Sequence, residues 1–311
     1  MQRLSHAARS ILFVLVVCAL TIPVPARAAA CCLSAGVFGV GRLAVWEDLV
    51  VGSSVGLTRA HGLWAADGRF RAYGDGYQEH EGTAELYGIV RIDERFQAFG
   101  RVPWLITHRS AGSQMELGHG LGDVQAGLRY DPVLIGEYEE LPAIGLTATV
   151  LAPTGTRPED AITSLATGTG GRGVWALSLA LSLEHVSAPW FVRLDAGGTV
   201  SLPFVRRDLG VRQAYGPGLQ VGLFGGRELI SNRWVVALGA IQEWEAPYTL
   251  DGEAVPDSSA RSPSLSVSTS WKLSGHWMLQ ASALATPWVD GLGKNRLGRA
   301  GATLGVRYGH F

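Results

Sequence analysis

From about residue 47 to the end of the chain, apolar side chains recur at every second position, in segments of roughly ten to fourteen residues. A period of two belongs to the β-strand, whose successive side chains point to opposite faces. Ala84, Leu86, Gly88, Val90 and Ile92 share one face, and Glu85, Tyr87, Ile89 and Arg91 the other. Asp93-Glu94 turns the chain. It returns with Phe96, Ala98, Gly100, Val102, Trp104 and Ile106 opposite Gln97, Arg101 and Thr107. The same pattern recurs around Val124–Asp131, Trp175–Glu184, Trp190–Thr199, Ser264–Leu273 and Trp277–Ala283. In each segment one face is apolar and the other small, polar or charged.

A soluble β-sandwich also alternates, but its strands average five or six residues and its exposed face is rich in Lys and Glu. These segments are long enough to cross a bilayer as tilted strands, which takes about 9–11 residues. Only 17% of residues are charged although 47% are hydrophobic, and two of the 26 basic residues are Lys. A typical soluble domain carries about 25% charge. Trp104, Tyr130, Trp190, Trp234, Trp271, Trp277, Trp288 and Tyr308 stand near segment ends, where a membrane barrel places its aromatic girdles. The pattern predicts an all-β fold, a transmembrane antiparallel β-barrel.

Residues 1–30 read as a cleaved signal peptide. Arg3 and Arg9 supply its positive start, Ile11 to Leu20 its apolar stretch, and Ala26-Arg27-Ala28 a cleavage site. Ten apolar residues rise about 15 Å as a helix, half a bilayer core. Removing Arg3, Arg9 and Arg27 leaves 23 basic against 27 acidic residues, a balance that offers nothing to nucleic acid. Cys18 leaves with the signal. Cys31 and Cys32 stay adjacent at the new end, open to three readings: free thiols in a tail, lipidation of Cys31, or a strained vicinal disulfide. No Cys/His spacing resembles a metal site, and no cofactor is indicated.

Residues 31–45 are expected as a periplasmic tail and 46–311 as the barrel. Connections alternate in length: short at 93–94, 186–189, 230–232 and 274–275, medium at 132–140, and long at 109–118, 154–172, 203–214, 247–261 and 288–296. Outer-membrane barrels have short periplasmic turns, long outer loops and an even number of strands. Eleven segments follow residue 83. Trp46 to Arg59 supplies the one more that parity requires, giving twelve, with 60–82 as a long first outer loop that has room for a short hairpin.

The C-terminal run resembles the signal read by the barrel assembly machinery, with Thr303, Gly305 and Tyr308 in place and Phe311 last. Phe311 is one residue out of phase, and a bulge at Gly309 would restore it. The mixed faces put Glu85, Arg91, Arg101, Asp123, Arg129, Arg193, Asp195, Lys272, Arg299 and Arg307 in the lumen. Mixed signs predict internal ion pairs, which either select solutes or simply fill the space.

Gly120-Leu-Gly122-Asp123…Gly127-Leu-Arg129-Tyr130 and Pro153-Thr154-Gly155 resemble the GxGD…GLRY and PTG strand motifs of an outer-membrane barrel family labelled meta-pathway of phenol degradation. The likeness runs over residues 83–311 and implies uptake of aromatic compounds. Gly120 and Gly122 are not a phosphate loop, because a strand and not a helix follows.

Three functions suit such a barrel, set in outer-membrane lipid. The first is a narrow channel for small molecules, hydrophobic or aromatic ones included. The second is an outer-membrane enzyme of lipase or esterase type, for which His108 and His119, with Ser110, Ser113 and Glu116 between them, form the one legible cluster. The third is a structural or adhesion barrel acting through its outer loops.

Overall fold

In the computed structural model, residues 41–74, 76–206, 208–230 and 233–311 are described. The signal, Cys31 and Cys32 lie outside them. The chain forms twelve long strands: β1 (Leu49–Trp64), β2 (Tyr77–Arg91), β3 (Phe96–Ala111), β4 (Val124–Val133), β5 (Ala143–Ala152), β6 (Ala176–Ser187), β7 (Trp190–Ser201), β8 (Gly218–Ile230), β9 (Trp234–Glu245), β10 (Ala260–Lys272), β11 (Trp277–Ala285) and β12 (Arg296–His310). Each pairs antiparallel with its sequence neighbours, and β12 pairs with β1 from Leu49↔His310 to Trp64↔Arg296. The sheet therefore closes on itself as a twelve-stranded barrel. Closure is what lipid demands, since an open edge would leave backbone groups without hydrogen bonds.

The outward phase is apolar around the ring. Val55, Leu86, Val102, Leu128, Leu146, Leu179, Leu194, Leu223, Leu238, Leu265, Leu279 and Leu304 are each 39–66% exposed, one from every strand. A single Arg in the middle of that band would cost about 2–4 kcal/mol. At the end with short turns, rings gather in pairs: Phe96 on Tyr130 (4.6 Å), Trp234 on Trp271 (5.6 Å) and Trp277 against Tyr308 (5.1 Å). The short turns and both ends of the barrel chain share this end, the periplasmic one in barrels of this class.

Several boundaries differ from the sequence reading. β1 starts at Leu49, and residues 41–48 enter the barrel, as described below. β1 continues to Trp64, and Phe70–Ala72 folds back upon Gly62–Trp64. The expected outer loop at 109–118 is instead a hairpin. β3 runs on to Ala111, and Gln114–Leu121 returns along it, paired from Ala111↔Gln114 to Trp104↔Leu121. Gly309 sits in regular register opposite Val50, so no bulge restores the phase of Phe311. The shift between β1 and β12 falls between Ala60 and Gly62. Phe311 lies past the strand end, its ring 4.8 Å from that of His276.

Candidate functional site

The lumen holds three tiers, each built from inward-phase side chains. The lowest is closed by the chain itself. Residues 41–48 lie within the periplasmic mouth, with Leu43 2% and Ala44 0% exposed. Leu43 packs with Val50, Ile89 and Phe99, and Ala44 with Met278. The Leu43 amide donates to Gln97 Oε1 (3.0 Å), and Arg91 donates to the carbonyl oxygens of Ala44 (2.6 Å) and Glu47 (2.9 Å). Glu47 is ion-paired with Arg307 and accepts the Ala44 amide (2.8 Å). Lys272 rests over the Trp46 ring at 5.7 Å.

Directly above, ion pairs fill the space. Arg129 Nε donates to Asp131 Oδ1 (2.8 Å), Gln97 to Asp131 Oδ2 (3.1 Å), and Arg129 Nη2 to Ser182 Oγ (3.0 Å). Arg193 Nε donates to Asp195 Oδ1 (2.8 Å). Each pair spans two residues of one strand, a spacing that puts both side chains on the same face. Charges this deep persist only when paired and hydrogen-bonded.

The middle tier is a cavity of about 270 Å³. Arg101, Gln125 and Thr149 line one side, Ser178 and Thr199 the back, and Gln220 and Glu243 the far side. Arg172 and Arg296 both hold Glu245 at its rim, Arg172 through bonds of 3.2 and 2.8 Å. Arg101 reaches Glu85 at 3.4 Å.

The upper tier is the long loop between β5 and β6, folded against the hairpin. Asp123 is its clasp. Its Oδ1 accepts the Gly155 amide (3.0 Å), and its Oδ2 the amides of Arg172 (2.7 Å) and Gly173 (3.2 Å). Thr154 Oγ1 donates to the Gly122 carbonyl oxygen (2.6 Å) and accepts the Val124 amide (2.9 Å). The GxGD and PTG motifs are thus two halves of one fastening. The glycines complete it: a Cβ on Gly118 would overlap the Thr167 backbone, and one on Gly170 the Leu121 carbonyl.

Farther out, Glu116 accepts from Ser164 Oγ (2.6 Å) and the Leu165 amide (2.9 Å). The Ser164 hydroxyl, and then the Leu165 amide, hold its carboxyl below the usual glutamate range. Arg109 donates to the carbonyl oxygens of Leu165 and Ala166. Arg299 pairs with Glu79 (3.4 Å) and Glu81 (3.8 Å). The loops after β7 and β9 form a small sheet of their own from residues 204–206, 211–214, 249–250 and 253–254. Arg157 lies over Phe204 (4.6 Å) and Arg172 over Tyr215 (5.2 Å), whose phenol is pushed up to about 12 by burial.

The residues assigned to the lumen therefore divide by tier. Arg91, Arg129, Arg193, Asp195, Lys272 and Arg307 belong to the lower closure, Arg101 to the cavity with Glu85 paired to it, and Asp123 and Arg299 to the upper tier. Asp123 binds loop amides instead of a cation. Thr303 and Gly305 face inward on β12, and Tyr308 stands in the periplasmic girdle. The His108/His119 cluster is split between the two faces of the sheet. His119 lies on the outer surface against Trp104 (5.6 Å), opposite Ile106, whereas Glu116 faces inward to the loop. Among the described residues no group of three or more His, Cys, Asp or Glu is placed to hold a metal.

Sequence reasoning missed the buried Arg42, Leu43, Ala44 and Glu47 ahead of β1, and also Glu243, Glu245, Arg172 and Arg296 around the cavity. Glu243 and Glu245 share the inward phase of β9, a signal that was present in the alternation. The loop and strand that bring Arg172 and Arg296 to them had no such signal.

No protein-family model matches the chain, and no curated protein matches it. Solved structures do. The COG4313 outer membrane channel from Pseudomonas putida F1 superposes with a TM-score of 0.70 at 15% identity, over 86% of this chain and 97% of that one. The β domain of the Bordetella autotransporter BrkA reaches 0.49 at 15% identity, over 85% and 100%. The translocator domain of NalP from Neisseria meningitidis reaches 0.48 at 13% identity, over 85% and 88%. The first likeness establishes the fold of an outer-membrane barrel, and the other two carry no weight beyond it.

Proposed function

We propose that this protein is a narrow channel for small molecules in the outer membrane, with a solute-sized chamber held between two closures. One observation carries the reading: a cavity of about 270 Å³ lies inside the barrel, between a mouth occupied by residues 41–48 and an outer loop clasped by Asp123. A barrel with only a structural task has no need of a chamber. Eight-stranded barrels are filled by side chains and those of 16–18 strands stay open, so twelve strands give a bore that one short segment can close.

The likeness to the phenol meta-pathway family points to aromatic solutes, but the chamber wall also carries charged and hydroxyl side chains, Arg101, Glu243, Thr149 and Ser178 among them, which give polar solutes partners. On this reading residues 1–30 direct export, and Thr303, Gly305, Tyr308 and Phe311 present the last strand to the assembly machinery. Hydrolysis gains nothing from the geometry, because His119 and Glu116 stand on opposite faces of the sheet.

Planar-bilayer recording tests the channel. The intact barrel is expected to give small current steps, and a variant lacking residues 41–47 steps several-fold larger. Silence from both proteins, each still shifting in gel mobility on boiling, would refute it.

A further inference from the structure

The two walls of the chamber carry charge that the protein leaves incompletely satisfied, and of opposite sign. On β3, Arg101 makes one long contact, Nη1 to Glu85 Oε2 at 3.4 Å, and its Nε is buried without a partner. A guanidinium has five donors in a planar fork that matches a carboxylate. Beside it Thr149 is 3% exposed, and its Oγ1 is buried without a partner. On β9, Glu243 accepts one bond of 2.8 Å from Gln220. No described cation lies in ion-pair range of Glu243, whereas two guanidinium groups hold Glu245 only two residues away. Glu243 is thus open to the lumen with acceptor capacity to spare, while the buried Arg101 Nε without a partner is costly.

β3 and β9 are six strands apart in a closed ring of twelve, which sets these groups on opposite walls. Twelve strands about 4.8 Å apart, tilted near 40°, make a ring roughly 24 Å across between backbones. Two inward side chains then leave a gap on the order of 10 Å between their charged ends. The cavity lies just below the usual range of ligand pockets, about 300–1,000 Å³.

We infer that the chamber binds a small linear zwitterion, its carboxylate at Arg101 and Thr149 and its primary ammonium at Glu243 and Gln220. This rests on the channel reading for its biological sense and deepens it by naming the solute class. One such molecule supplies a cation to Glu243 and the missing acceptors at Arg101 and Thr149. An ammonium brings three donors to Glu243, and a carboxylate brings acceptors to Arg101 Nε and Thr149 Oγ1. Neither a simple anion nor a simple cation does both.

The test is calorimetric titration of the purified, detergent-held barrel with glycine, 4-aminobutyrate and 6-aminohexanoate, using hexanoate and hexylamine as single-charge controls. The expected result is that 6-aminohexanoate binds roughly tenfold tighter than either control, since each added charge contact contributes on the order of one decade. Glycine, too short to span the gap, is expected to bind no better than the controls. E243Q should abolish the advantage over hexanoate while leaving hexanoate itself unchanged, and R101Q should abolish the advantage over hexylamine. Gel mobility before and after boiling confirms that each variant keeps its barrel. Equal binding of 6-aminohexanoate and the controls, or an advantage untouched by both substitutions, overturns the site. Current without that binding preference removes this inference and leaves the channel standing. Preference in a barrel that never conducts keeps the site and removes the channel.

Discussion

In the periplasmic half of the lumen, Arg129 meets Asp131 and Arg193 meets Asp195, partners two residues apart whose side chains are 1–14% exposed. In the outer half, Glu245 is met by Arg172 and Arg296, which are 73 and 51 residues away and 43% and 36% exposed. The lower pairs are local and dry, and the first is interlocked with Gln97 and Ser182. The upper ones are assembled from distant chain and border open space. Charge in the lower half is therefore part of the wall, and charge in the upper half borders the cavity, where on the channel reading it meets the solute. Opposite-sign residues on an inward face do not by themselves mark a solute path. The sequence distance between partners and the water around them separate the two uses.

The largest effect should come from Asp131→Ala. It leaves Arg129 buried without its carboxylate, a loss of about 3–5 kcal/mol for a broken buried pair. Urea unfolding of the micelle-held barrel measures it. If it costs no more than Glu245→Ala, the contrast between the halves is wrong.

Asp123→Asn should come next. Replacing a charged acceptor of three amides weakens the clasp by about 1–3 kcal/mol. Exchange of the Gly155, Arg172 and Gly173 amides is expected to speed up while β6 and β7 stay protected. Glu245→Ala should be milder in stability, about 1 kcal/mol or less for partners this exposed. It should instead shift the channel's ion preference towards anions, read as a reversal potential across a salt gradient. An unfolded barrel, or an unmoved reversal potential, would erase the distinction.

The smallest effect is acidification. The Glu116 carboxyl is held below the ordinary glutamate range, chiefly by the Ser164 hydroxyl. A group whose folded value is depressed contributes above its unfolded value and loses that contribution as pH falls through the folded one. Glu116 should therefore keep Ser164 and Leu165 anchored at a pH where free glutamates are already protonated, and release them only in stronger acid. The carbon-13 shift of its carboxyl against pH follows this directly. A midpoint at or above that of free glutamate would show that the anchor is not made.

The strands and their facing were legible because lipid outside and charge inside impose a strict alternation, which Ala84–Ile92 displays almost without exception. The lower ion pairs were legible for the same reason, since Arg129 and Asp131 sit two apart in one strand. Residues 41–48 were not. Arg42, Leu43 and Ala44 have no periodicity, and they are buried only because a barrel surrounds them. The hairpin at 114–121 was hidden because Gly118 and Gly120, with Gly122 just beyond, leave its inner face bare after Glu116, which reads as a loop. The chamber was hidden because it is made by chain folding inward from outer connections of different lengths.

The seam between β1 and β12 joins the first and last barrel strands along fifteen residue pairs, Leu49 to Trp64 with Arg296 to His310. The ring can be sealed only after the final strand is in hand, so until then the first strand presents an open edge to whatever assists insertion. The stretch just ahead of that strand ends up enclosed, bound at once to β2, β3 and β12 through Arg91, Gln97 and Arg307. A stretch gripped from both sides of the seam works like a keystone. It is fully held only when the circle is complete, and it bridges the join that was the last to form.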